Sequence, residues 1–161
     1  MIRIEDFSKM LIGEKEILHS QTEGLSQADS LIQPQPGGNC LNWVMGHLVG
    51  NLIEIQNVLG GEVPAEIPNV SQYGFGSEPV LRDEDRVIPL HELIHAYDLL
   101  TEKVTDQLSR MSEADFEEEI DFWQGKTRRG YVAFFYFFHN TYHLGQLERL
   151  RNLAGRTEKV I

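Results

Sequence analysis

Apolar residues recur at three- and four-residue intervals in four stretches of this chain, and period-two alternation is weak throughout. That pattern commits the chain to helices with one buried face each and leaves strands few or absent. The first stretch covers residues 5–28, with Ile4, Phe7, Leu11, Ile17 or Leu18, Gln21, Leu25 and Ala28 at helical spacing. The run Gln33-Pro34-Gln35-Pro36-Gly37-Gly38 stops any helix. Asn39 is the expected N-cap of the second stretch, residues 40–59, which ends at Gly60-Gly61. Pro89 suits the first turn of the third, residues 89–111. Ser112-Glu113-Ala114-Asp115 begins a short acidic turn, and residues 120–126 read as a loop carrying Phe122 and Trp123. Thr127 is the expected cap of the fourth stretch, residues 128–153, which Gly155 closes.

Four amphipathic helices of about 20 residues make a bundle. The chain of 161 residues is sized for one domain, residues 1–161. The connection over residues 60–87 carries Pro64, Pro68, Tyr73-Gly74-Phe75-Gly76 and Pro79 without clear periodicity. A helix of 20 residues spans about 30 Å, and a connection of that length can cross it. The expectation is an all-α four-helix bundle with a long crossover between helices two and three, which then run parallel.

Charge narrows the partners. The chain has 14 Lys plus Arg against 25 Asp plus Glu, a net charge of −11. Phosphate backbones and anionic lipid surfaces repel such a protein, so neither nucleic acid nor membrane is expected. Cys40 has no second cysteine to pair with, which suits a reducing compartment. No basic segment followed by an apolar run opens the sequence, and residues 30–53, the longest uncharged stretch, are too polar to span a bilayer. The expected location is cytoplasmic.

The six histidines sort by helix face. His91-Glu92-Leu93-Ile94-His95 matches the H-E-x-x-H zinc-peptidase spacing. At about 100° per residue, however, Leu93, Tyr97, Leu100, Val104, Leu108 and Met111 form the buried stripe and both histidines lie nearly opposite it. That motif faces water and is coincidental. His139 and His143 share a face with Val132, Phe135, Tyr136, Gln146, Leu150 and Leu153, the face a bundle helix buries. His47 lies with Cys40, Trp43, Val44, Asn51, Glu54 and Val58. Helices two and four therefore both turn imidazoles into the core. Buried imidazoles need hydrogen bonds or a metal. Three from two helices give a tripod with open positions for water, the arrangement of catalytic rather than structural sites; the alternative is separate, individually satisfied core histidines. His19 reads as a surface residue and Cys40 as a small buried one. Glu54 is either a base at the edge of the site or a partly buried polar residue.

These residues resemble a family. Leu31, Pro34 to Asn39, Trp43 and Gly46-His47-Leu48 are similar to the second-helix motif of the DinB-like proteins, the YfiT-like metal-dependent hydrolase type. Tyr73-Gly74-Phe75-Gly76-Ser77-Glu78-Pro79 resembles that family's crossover loop. His139-Asn140-Thr141-Tyr142-His143-Leu144-Gly145-Gln146, with Arg151 and Gly155, resembles its last-helix pattern. The resemblance implies a four-helix bundle with a crossover and a divalent metal held by His47, His139 and His143. It also implies chemistry of the kind found in bacillithiol S-transferases and mycothiol-dependent isomerases, whose metal is held to activate a low-molecular-weight thiol.

The expected cofactor is one divalent ion, zinc or nickel, both of which suit imidazole. It would activate water for hydrolysis or a small thiol for S-transfer on a small-molecule substrate. Gln146 lies one turn from His143 and Asn51 one turn from His47; each either orients its histidine or meets substrate, or is ordinary helix-packing polarity. The loop with Tyr73 and Phe75 either covers the open side of the metal or serves as a spacer. Residues 131–138 are aromatic almost all round, and Phe134, Phe137 and Phe138 lie off the metal face. Part of that surface is expected to form a homodimer interface, and a non-catalytic, dimerising bundle is the alternative to an enzyme.

Overall fold

The computed structural model describes residues 2–84, 86–123 and 125–160. The first stretch forms α1 (Ile4–Thr22), which buries Phe7, Leu11, Glu14, Leu18 and Gln21. The periodicity suggested a helix reaching residue 28. The structure ends it sooner: Gly24 adopts a φ of +71°, and the chain restarts as α2 (Gln27–Ser30). Ser26 sets the restart, because its side chain accepts from the Asp29 amide while Asp29 accepts from the Ser26 amide.

α3 (Leu41–Val58) begins one residue later than expected, with Cys40 rather than Asn39 at its N-cap. α4 (Leu90–Arg110) starts directly after Pro89. Its stripe is buried as its periodicity requires, with Leu93, Tyr97, Leu100, Val104 and Leu108 shielded from water. A second capping box, Ser112 with Asp115, opens α5 (Glu113–Glu117).

The residues read as a loop over 120–126 belong instead to a hairpin, β1 (Glu119–Phe122) antiparallel to β2 (Gly125–Arg128). Thr127 lies in β2 opposite Ile120, and Arg128 takes the N-cap of α6 (Arg129–Leu153). Strands of four residues are too short to show alternation. Tertiary packing holds the hairpin: Phe122 and Trp123 stack at 4.6 Å and meet Phe135 edge-on at 5.9 and 5.1 Å.

Hydrogen bonds between helices give their directions. Asn42 near the start of α3 donates to the Ile88 carbonyl just before α4, and Gln107 near the end of α4 donates to the Leu59 carbonyl just after α3. These two helices run parallel. α6 runs against α3, since Asn51 pairs with Asn140 and Arg129 donates to the Val58 carbonyl. α1 runs along α6, with Glu14 beside Thr141 and the Ser20 carbonyl beside Arg151. The bundle is up-down-down-up, packed in the order α1, α4, α3, α6. The segment after α3 carries the chain back along the bundle before α4 begins, the crossover that its length predicts.

The aromatic run of α6 divides between partners. Phe134 and Phe137 pack against Phe7 at 6.4 and 5.7 Å, and Phe135 and Tyr136 receive the hairpin. Phe138 and Tyr142 remain 65% exposed. Among the described residues, no helix is long and apolar enough to cross a membrane.

Candidate metal centre

α3 and α6 face each other with His47 on one and His139 and His143 on the other. His139 Nε2 lies 3.1 Å from His47 Nε2 and 2.8 Å from His143 Nε2. One ligand nitrogen from each of the three falls within 4.8 Å of the other two, and no carboxylate or thiol joins this group among the described residues.

The outer nitrogens of two rings explain why the inner ones converge. His47 Nδ1 donates to the Tyr73 carbonyl oxygen at 2.8 Å, an atom that only accepts. His143 Nδ1 donates to Gln146 Oε1 at 2.8 Å. In the neutral rings this leaves Nε2 of both as a bare lone pair aimed at the same point. His139 Nε2 carries at most one proton and cannot satisfy both. A shared cation does satisfy all three. Imidazole nitrogens bound to one ion at about 2.1 Å would stand about 3.0–3.4 Å apart, and the 2.8 and 3.1 Å separations lie at or close below that range. The donor set therefore fits a divalent metal.

Electrostatics favours the same state. Burial lowers the His47 pKa, and burial with the proximity of His47 lowers that of His139. His143 is pushed down to about 4, chiefly by burial and further by the other two histidines, against the opposing bond to Gln146. All three rings are neutral at pH 7, the form a metal requires.

The supporting contacts come from packing. Trp43, one turn before His47, stacks on it at 5.0 Å and 14°. Tyr73 sits in the crossover at the 3-10 turn Ser71–Tyr73. Its hydroxyl donates to Asn42 Oδ1 and accepts from the Ile88 amide. Its ring lies so close to α3 that a Cβ on Gly46 would stand 2.3 Å from it. Glycine before His47 is what lets the crossover reach that ring nitrogen.

Gln146 thus stands where its spacing placed it. Asn51 does not stand to His47 as Gln146 does to His143: its Nδ2 donates to Asn140 Oδ1 at 2.8 Å, tying α3 to α6. The crossover backbone takes the place beside His47 because that ring's Nδ1 points out of the α3–α6 seam. Cys40 is buried and donates to the Val80 carbonyl; burial raises its pKa, outweighing the amides at the helix start. Glu54 is exposed at the rim of a cavity it shares with His47 and His139. His91 and His95 are exposed on α4. His19 is exposed and pairs with Asp98 at 2.7 Å. In the crossover loop Tyr73 is buried, whereas Phe75 is 99% exposed beside the centre.

One buried acid escaped the sequence reading. Glu14 lies on the apolar stripe of α1, seven residues from Phe7 and three from Leu11, and that placement was the available signal. It accepts from Tyr97 at 3.1 Å and Thr141 at 3.3 Å, and burial pushes its pKa up to about 8.

The fold is a helical bundle, and its three clustered histidines fit a divalent metal site. The family model of the DinB superfamily matches residues 13–147, and the chain belongs to that superfamily. Its fold is shared with the crystal structure of a conserved protein of a locus from Enterococcus faecalis, at a TM-score of 0.71 and 15% identity, over 96% of this chain and 98% of that one. Among curated proteins none matches the chain.

Proposed function

We propose that the protein is a metal-dependent enzyme in which His47, His139 and His143 hold one zinc or nickel ion that activates water or a low-molecular-weight thiol, giving hydrolysis or S-transfer on a small molecule. The observation that carries this reading is the convergence of three Nε2 atoms while two of the Nδ1 atoms are engaged outward. A divalent ion among three neutral imidazoles keeps its full charge and lowers the pKa of a water or thiol beside it towards about 7. The residues supply the rest. The Tyr73 carbonyl and Gln146 hold His47 and His143 in one tautomer. Trp43 covers one face of His47 and limits water there. Space for a reactant adjoins the histidines, in two cavities of about 490 and 530 Å³.

The test is metal analysis of protein purified without a chelator or a histidine tag. Near one equivalent of metal is expected, falling below a tenth of an equivalent in His47→Ala and His139→Ala. Failure to take up zinc or nickel on loading overturns the reading. Turnover of ester and epoxide panels with and without small thiols then separates hydrolase from transferase.

A further inference from the structure

Two cavities adjoin the histidines, and they differ in character. His47, His139 and Phe75 line both. The first adjoins the turn before α3 and contains one ionic side chain, Arg149. The second is walled by Val70, Trp123, Phe135 and Tyr136, and its one ionic side chain is Glu54. Neither Arg149 nor Glu54 has an ion-pair partner among the described residues. Arg149 is exposed at the rim of the first cavity, a positive charge in a chain with 25 acidic side chains against 14 basic ones.

Resting on the metal reading above, we propose that these cavities are two distinct subsites beside the histidines: the one with Arg149 takes a small carboxylate-bearing ligand of the metal, and the one with Trp123, Phe135 and Tyr136 takes an uncharged aromatic or alkyl group. Side chains on a helix lean toward its N-terminus. Arg149 lies six residues beyond His143 on α6, about 9 Å along the axis, and lines the same cavity as the histidines. A guanidinium fork matches a carboxylate through paired, charge-assisted bonds. The second cavity offers aromatic walls and one carboxylate, which repels an anion and admits an uncharged ring.

The experiment uses the cobalt(II)-loaded protein and three thiols that differ in charge: 3-mercaptopropionate, 2-mercaptoethanol and cysteamine. Affinity is read from the thiolate-to-cobalt absorption band. Wild type is expected to favour 3-mercaptopropionate over cysteamine. In Arg149→Gln that ratio is expected to fall by about fivefold or more, the effect of losing one charge-assisted bond; Arg149→Lys retains most of it and Glu54→Gln leaves it within about twofold. Thiol acidity is the same in every variant, so only the protein's contribution changes. Saturation-transfer NMR of benzyl alcohol reports on the second subsite. Its signal is expected to persist when 3-mercaptopropionate saturates the cobalt and to weaken in Trp123→Ala. A thiol ratio unchanged by Arg149→Gln, or a benzyl alcohol signal abolished by 3-mercaptopropionate, overturns the two subsites while the metal reading stands. No cobalt uptake overturns both.

Discussion

At the scale of single residues, similar spacing produced different roles. Gln146 and Asn51 each sit one helical turn from a histidine, yet Gln146 holds His143 and Asn51 holds Asn140. Gln146→Leu is expected to weaken metal affinity about 10- to 100-fold by competition with a chelating dye, with the unfolding midpoint of the metal-free protein little changed. Asn51→Leu does the reverse. It leaves Asn140 Oδ1 buried without its donor and is expected to cost about 1–3 kcal/mol in urea unfolding. Glu14 sets a pH dependence. Its folded pKa of about 8 exceeds the ordinary carboxylate value near 4.5, so the folded state keeps a proton that the unfolded chain has released. Stability from this group is therefore present at acid pH and declines as pH rises from about 4.5 to 8. Glu14→Gln is expected to raise stability at pH 8 by about 1–3 kcal/mol and to make no difference near pH 4.5, as measured by thermal unfolding across that range.

At the scale of elements, the decisive contact joins the crossover to α3. Alanine ordinarily stabilises a helix interior by about 1 kcal/mol relative to glycine. At Gly46 the added methyl would meet the Tyr73 ring at 2.3 Å. Gly46→Ala is expected to destabilise by about 1–3 kcal/mol and to weaken metal binding, because Tyr73 carries the carbonyl that orients His47. Gly145 on α6 has nothing within 4 Å of the same added atom, so Gly145→Ala is expected to stabilise by about 0.5–1 kcal/mol. Urea titration of the two variants checks both signs. The bend at Gly24 and the β1–β2 hairpin show the limit of periodicity. A buried-face pattern continues across a break when the next segment packs on the same core, so residues 5–28 read as one helix. The hairpin depends on Phe135 and Tyr136, which follow it in the chain and say nothing locally about strands.

At the scale of the whole molecule, Phe138 on α6 is 65% exposed, as is Tyr142 one turn on, which also lines the rim of the first cavity beside His143. We propose that this face joins two copies of the chain. Light scattering at micromolar concentration is expected to give the mass of a dimer, and Phe138→Glu that of a monomer; a monomeric wild type refutes the assembly. The helical class, the crossover and the inward face of His47, His139 and His143 were legible in the sequence because helix periodicity is a local property of the backbone. A residue's face follows from its spacing to near neighbours alone. What lay beyond reach was which groups meet across the bundle: the Tyr73 carbonyl on His47, Asn140 on Asn51, the buried Glu14 with Tyr97 and Thr141, and the two cavities beside the histidines. Those contacts join residues tens of positions apart, and their geometry depends on how helices pack and where a long crossover settles, which only the tertiary structure decides.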